Sequence, residues 1–172
     1  KFFDLLIDQE QHFALETDTA NFYKSMKIKG ARQPQVFLEL QNFMEEKGKQ
    51  ANDLRTRIQK AADNPSEKES LTKELETVNN QVKQYWDQLV AQNQGSFVAT
   101  FVKAFQEVPL PEFEVPPGSS NPDPLLHFKR AWYMKDHYFD NTDLSDARLI
   151  RTPFFHSKLE RYFNQILIPI PD

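Results

Sequence analysis

Cysteine is absent from this 172-residue sequence, and only four glycines occur against eleven prolines. Without thiols the chain can form no disulfide, hold no metal through thiolates and offer no cysteine nucleophile. Because glycine is scarce and proline interrupts helices, the composition predicts helices separated by stiff connections.

Long apolar runs and an excess of one charge are also missing. No stretch approaches the roughly 20 apolar residues of a membrane span, and the apolar segment 166–170 is far too short. The net charge of −4 arises from mixed signs without a basic cluster, so we expect no nucleic-acid partner. Because the sequence begins at Lys1 without a signal-like run, we expect a segment of a longer protein.

Apolar and aromatic residues are plentiful, at 39% and 13% of the chain with 15 phenylalanines, and they predict a packed core. Short apolar or alternating patterns at 2–7, 13–17 and 26–30 predict three strands. Three such strands are marginal alone. We therefore interpret residues 1–30 as the terminal strands of a small β domain.

Apolar residues at alternating spacings of three and four predict a long antiparallel helical hairpin over 35–94. These positions are Phe37, Leu40, Met44, Ala51, Leu54, Ile58 and Ala61, with one polar lapse at Lys47, and then Leu71, Leu75, Val78, Val82, Tyr85 and Leu89. The run Ser66-Glu67-Lys68-Glu69 is typical of a capping box at the start of the second helix. Gly95 is typical of a helix end.

Shorter helices are predicted over about 96–108, 124–139 and 153–167. Ser96 can cap the first of them, and Thr152-Pro153 is typical of the start of the last. The segment 109–124 holds six prolines and is interpreted as an extended connection. The predicted fold is mainly α with a small N-terminal β element, in which the hairpin packs with shorter Phe-rich helices of a domain spanning 31–172.

The histidines His12, His127, His137 and His156 form no H-E-x-x-H or other short-range metal pattern. His127 and His137 are ten residues apart on one predicted helix, about 15 Å by helical rise, so they cannot share an ion. We expect no metal, no cofactor and no catalytic residue in this chain.

Three aspartates, Asp140, Asp143 and Asp146, raise the question of a calcium loop. Such a loop needs carboxylates at alternate positions, a central glycine and a glutamate at its twelfth position. Here the spacing is three, glycine is absent and the twelfth residue is Arg151. The segment is therefore interpreted as a structural turn in which Arg148 and Arg151 pair with the carboxylates.

Aromatic residues near the C-terminus offer another candidate site. Trp132, Tyr133, Tyr138 and Phe155 could line a ligand or peptide pocket, with the proline-rich segment as its lid. At helical spacing such residues are more often part of a core. A hydrolase-like site finds no supporting motif.

Three C-terminal blocks carry a resemblance to a known family. They are Asp-His-Tyr-Phe-Asp-Asn at 136–141, Asp-Leu-Ser-Asp-Ala-Arg-Leu-Ile-Arg-Thr-Pro at 143–153 and Lys-Leu-Glu-Arg-Tyr-Phe at 158–163. They resemble a Bacteroidetes-type domain of unknown function that occurs N-terminal to thioredoxin-like domains in envelope proteins. The blocks 8–19 and 26–30 are similar to the final strands of the β domain that precedes it. The residues that match the family pattern, interpreted as fold determinants, are Asp140, Asp143, Asp146, Arg148, Arg151, Thr152 and Pro153.

The resemblance implies an exported protein of the periplasm or cell envelope, with a signal or lipoprotein sequence. It also implies a thiol-disulfide oxidoreductase or peroxiredoxin-like domain in the same full-length chain. Those domains act through cysteine, which this segment lacks, so no catalytic residue is carried over. We expect a non-catalytic accessory region that positions, dimerises or docks the redox domain. A homodimer of the chain is one form that this role could take. The alternative is a helical ligand- or peptide-binding module with an aromatic pocket.

Overall fold

The computed structural model describes residues 3–10, 12–18, 20, 24–115 and 122–167. Its strands and helices are, in chain order, β1 Ala14–Glu16, β2 Lys27–Lys29, α1 Arg32–Lys60, α2 Pro65–Gln92, α3 Phe97–Phe105, α4 Pro122–His137 and α5 Pro153–Arg161. A 3₁₀ turn, Leu149–Arg151, precedes α5, and a π-helical turn, Tyr162–Ile166, follows it. The predicted fold class, mainly α with a small N-terminal sheet, is confirmed. The chain divides into two compact units, Lys1–Ala99 and Thr100–Asp172.

The N-terminal sheet has two strands where the sequence predicted three. β1 and β2 pair antiparallel, with Leu15 opposite Ile28. Residues 3–7 form no strand, and Phe2 lies outside the described residues. Phe3 and Leu5 of this stretch instead pack against a cluster that includes Ile28 and, from α1, Leu38. An apolar run can be buried against a helix as well as in a sheet, and this is why the apolar pattern wrongly predicted a strand.

The predicted hairpin is formed by α1 and α2, which pack against each other. Near the turn, Leu54, Ala61 and Leu71 form a buried cluster at the positions that the spacing of three and four predicted. The polar lapse at Lys47 has a physical role. Its ammonium donates a hydrogen bond of 2.8 Å to Gln81 Oε1 on the facing helix.

The start of α2 differs from the predicted capping box. Asn64, not Ser66, is the N-cap, and its side-chain oxygen accepts a hydrogen bond from the Glu67 backbone N–H at 3.3 Å. Pro65 explains the difference, because its fixed φ suits the first helical position and the cap must then be the residue before it. At the other end, Asn93 N–H and Nδ2 both bond Leu89 O.

Gly95, predicted as the stop of α2, lies beyond that cap in the turn toward α3. Its φ of +78° belongs to the left-handed region that glycine adopts without strain. Ser96 caps α3 as predicted, since its hydroxyl accepts from Ala99 N–H at 3.2 Å. The helix ends at Phe105 rather than at residue 108. Val102 is 1% exposed within it.

The two C-terminal helices also differ at their bounds from the predicted ranges 124–139 and 153–167. α4 ends at His137, and the predicted last helix is α5 followed by the π-helical turn. In the proline-rich connection, residues 109–115 are irregular and 116–121 lie outside the described residues. Across the part of the chain that is described, no helix has both the length and the apolar character needed to cross a membrane.

Candidate functional site

A cavity of about 510 Å³ lies in the unit Thr100–Asp172. The end of α3, the segment that follows it, α4 and α5 all contribute to its walls. Its lining residues are Ala104, Phe105, Gln106, Glu107, Val108, Leu110, Met134, Tyr138, Phe154, Ser157, Lys158 and Arg161. A volume of this size is within the range of about 300–1,000 Å³ that small-molecule sites occupy.

The cap of α5 sets which side chains face the cavity. Thr152 accepts a hydrogen bond from Phe155 N–H at 3.3 Å, and its own hydroxyl donates to Leu149 O at 2.6 Å. Helical geometry from Pro153 onward then aligns positions separated by three, four and seven residues. The aligned residues that line the cavity are Phe154, Ser157, Lys158 and Arg161.

Lys158 is the central polar group of the cavity. Its ammonium donates a hydrogen bond of 2.7 Å to the backbone oxygen of Ala104 in α3. It also lies 5.3 Å from the ring centroid of Tyr138 and 5.6 Å from that of Phe154. Cations at such distances are attracted to aromatic faces.

The surroundings of this ammonium disfavour its charge. Burial, with the like charge of Arg161 second, lowers the pKa of Lys158 from 10.5 to about 8. Burial also raises the pKa of the Tyr138 phenol. Among the described residues no carboxylate forms an ion pair with Lys158, although Glu107 is part of the cavity wall. The lysine is therefore a partly desolvated cation. Glu107 is the carboxylate among the described lining residues, and it forms no ion pair with Lys158.

Aromatic rings form the apolar wall. Phe105 and Phe154 stack with their centroids 3.8 Å apart, and Phe101 meets Phe105 edge-on at 4.8 Å. Phe105 is 41% exposed, so part of its ring faces open space. Met134 from α4 adds a flexible thioether to the lining. The cavity thus combines a cation with an apolar, partly accessible surface.

Of the four aromatic residues named as a candidate pocket, Tyr138 lines this cavity and the other three do not. Trp132 is 41% exposed and carries the Lys135 ammonium 4.5 Å above its ring. Tyr133 stacks on His137 with centroids 4.1 Å apart. Phe155 is partly buried on α5 and supplies the capped N–H described above.

The aspartate-rich segment is a network of turns. Asp143 Oδ1 accepts from both the backbone and the hydroxyl of Ser145, which together lower the pKa of Asp143. Asp146 receives the Arg148 guanidinium through both oxygens, with Nη2–Oδ2 at 2.7 Å and Nε–Oδ1 at 2.9 Å. This bidentate pairing lowers the pKa of Asp146. Asp140 Oδ2 lies 2.7 Å from His137 Nδ1.

Arg151 was expected to join these ion pairs. It lies exposed on the 3₁₀ turn, and the ion pairs seen within the described residues do not include it. Pro153 occupies the first turn of α5, beside its cap Thr152. Among the described residues no group of three or more His, Asp or Glu side chains is arranged to hold a metal ion.

Lys158 and Arg161 are the two cationic residues of the lining, and the sequence did not single them out. Both belong to the block 158–163 that carries the family resemblance, but neither occurs in a catalytic motif. The available signal was the spacing of four between Phe154 and Lys158, which puts a cation beside an aromatic ring on one helical face.

No family model, curated protein or solved structure matches this chain.

Proposed function

We propose that this chain is a non-catalytic accessory region of a bacterial envelope protein that also carries a thioredoxin-like domain. In this role it positions, dimerises or docks the redox domain. The resemblance of the blocks 136–141, 143–153 and 158–163 motivates the proposal. The observation that supports it is the use of Asp143, Asp146 and Arg148 in turns and ion pairs, which suits fold determinants better than reacting groups.

The full open reading frame provides the first test. We expect an export signal before residue 1 and a domain with a reactive cysteine after residue 172. Finding neither would overturn the proposal, whatever this segment binds.

A biochemical test uses the full-length protein and a version from which residues 1–172 are deleted. If the region is accessory, the deletion leaves turnover of a small dithiol substrate unchanged per cysteine-containing domain. It changes instead the oligomeric state, measured by sedimentation, or the reduction of a protein substrate. Loss of turnover on the small substrate would contradict a non-catalytic role.

The second candidate, a ligand-binding module, is favoured by the cavity around Lys158. Its residues differ from the set that the sequence suggested, because Tyr138 is joined by Phe105 and Phe154 rather than by the other aromatic residues of that set. A binding module and an accessory role are compatible, since a region that docks a redox domain can also hold a ligand. Direct measurement of ligand binding to this chain tests the second candidate: saturable binding would support a ligand site, and no binding would indicate a surface depression without that function.

A further inference from the structure

We propose that the cavity around Lys158 binds a small molecule that combines one carboxylate with an aromatic or aliphatic body. The inference rests on the second candidate function, the ligand-binding module, and names its ligand class. Lys158 holds the carboxylate, and the rings of Phe105, Phe154 and Tyr138 contact the body.

The charge of the site points to an anion. An ammonium has three donors, and Ala104 O accepts from Lys158 at 2.7 Å. Rings at 5.3 and 5.6 Å from Nζ stabilise the cation but accept no conventional hydrogen bond from it. Leaving a partly buried cation without a counter-charge is costly, and a bound carboxylate would supply one.

The balance of charges favours a single negative charge. Lys158 and Arg161 contribute two cations to the lining, and Glu107 contributes one carboxylate. A monoanion neutralises the resulting net charge, whereas a dianion such as a phosphate monoester would bring uncompensated repulsion from Glu107. A neutral ligand would leave the ammonium without a counter-charge.

The apolar part of the lining points to an amphipathic molecule. Phe105 and Phe154 are stacked along one wall, and Leu110, another lining residue, is 48% exposed. Covering such surface removes apolar area from water, which is the main source of affinity in small-molecule sites. Inorganic anions would leave it uncovered.

The test uses two fluorescent probes of nearly equal shape, 1-pyrenebutyrate and the neutral 1-pyrenebutanol, with the 172-residue chain. We expect the carboxylate to bind at least about tenfold more tightly than the alcohol, because a hydrogen bond to a charged group is worth more than one between neutral groups. Equal affinities would overturn the role of the cation. No saturable binding of the carboxylate would overturn the site.

Two lysine variants give a matched comparison. Lys158→Met removes the charge and keeps the length of the side chain, so we expect at least about a tenfold loss for pyrenebutyrate and little change for pyrenebutanol. Lys135→Met is the control, because Lys135 also lies over an aromatic ring but outside the cavity. It should leave both affinities unchanged. Unchanged carboxylate affinity in Lys158→Met would contradict the assignment.

A pH titration tests the same contact in the unaltered chain. The groups that line the cavity with Lys158 are Arg161, Glu107 and Tyr138. Burial raises the pKa of Tyr138, so that phenol stays neutral where the ammonium of Lys158 loses its proton. Affinity for pyrenebutyrate should fall as the pH rises above about 8, where the free ammonium loses its proton. A flat profile from about pH 6 to about pH 10 would overturn the proposal even if Lys158→Met failed to fold.

These outcomes are independent of the accessory role. Failure of pyrenebutyrate to bind leaves the reading-frame and deletion tests unaffected. Conversely, a full-length protein without a redox domain would leave the binding results intact.

Discussion

At the scale of single residues, Lys158 has a side chain whose surroundings differ strongly from water. Its pKa of about 8 lies below the 10.5 of a free lysine because burial disfavours the charged form. We expect one dimethyl-lysine resonance, in ¹³C NMR of the reductively methylated chain, to titrate near pH 8. That resonance should be missing from Lys158→Met and present in Lys135→Met. Titration of every lysine near 10.5 would contradict the partly buried site.

The same residue has a consequence for stability. The folded pKa lies below the unfolded one, so charging Lys158 disfavours the folded state below about pH 8, and this cost disappears as the pH rises through 10.5. Because the cavity is open to solvent, we expect Lys158→Met to raise the free energy of unfolding by only about 1 kcal/mol at pH 7. The gain should shrink between pH 8 and 10.5, as measured by urea denaturation. A loss of stability at pH 7 would show that the Ala104 hydrogen bond outweighs desolvation.

Asp146, in contrast to Lys158, has a pKa shift that stabilises the folded state at neutral pH. Its side chain is 11% exposed, and the Arg148 guanidinium lowers its pKa. The stabilisation is therefore present above the unfolded pKa of about 3.8 and is lost as the pH falls through the lowered folded value.

We expect Asp146→Asn to reduce the free energy of unfolding by about 1 kcal/mol at pH 7 and by much less near pH 3. Asp136→Asn, an exposed position on α4, is the control and should have little effect at either pH. Equal losses for both variants at pH 7 would indicate a general charge effect rather than the bidentate pair.

At the scale of elements, the start of α2 can be assigned to either of two N-cap residues, Asn64 in the structure or Ser66 in the predicted capping box. Asn64 accepts from Glu67 N–H and donates through Nδ2 to Glu67 Oε2 at 3.1 Å. Asn64→Ala should therefore cost about 1 kcal/mol in urea denaturation. Ser66→Ala, at the residue first interpreted as the cap, should cause no loss of stability, because the residue lies inside the helix and alanine has a higher helix propensity than serine. The reverse order would restore the predicted capping box.

The hairpin was predictable because its information is local. A spacing of three and four repeated over many turns, as at Leu54 and Leu71, indicates one buried helical face whatever else the chain contains. The bounds were less predictable where two signals compete, as when Pro65 overrides a capping-box pattern two residues later. The strand predicted near residues 3–7 was wrong for a related reason. A short apolar run does not indicate whether a sheet or a helix will cover it.

The candidate site was not predictable in the same way. Its defining contact joins Lys158 to Ala104 across 54 residues, and neither belongs to a motif. No periodicity encodes which carbonyl a lysine will reach after the chain has passed through the proline-rich connection. Tyr138 was named in advance because aromatic residues are generally candidates for pockets, which is a weaker reason than geometry.

At the scale of the whole molecule, long-range hydrogen bonds connect elements that the sequence keeps apart. Within the unit Lys1–Ala99, Gln33 on α1 accepts from Phe97 N–H at 2.9 Å and from Val98 N–H at 3.3 Å. It therefore supplies the oxygen that the first turn of α3 needs. Its Nε2 donates to Asp8 Oδ2 at 3.2 Å, and its backbone N–H donates to Glu10 Oε2 at 2.9 Å.

Replacing this glutamine tests whether the contacts hold the N-terminal stretch and α3 to α1. Gln33→Ala leaves two helix-start amides without their side-chain acceptor and removes the bond to Asp8, so we expect a loss of about 2 kcal/mol in the free energy of unfolding. Gln35→Ala, at an exposed position two residues along the same helix, should change it by less than about 0.5 kcal/mol. Hydrogen exchange should localise the effect, with faster exchange of the Phe97 and Val98 amides in Gln33→Ala alone. If both variants left these amides equally protected, the N-terminus of α3 would be stabilised by Ser96 and by packing rather than by Gln33.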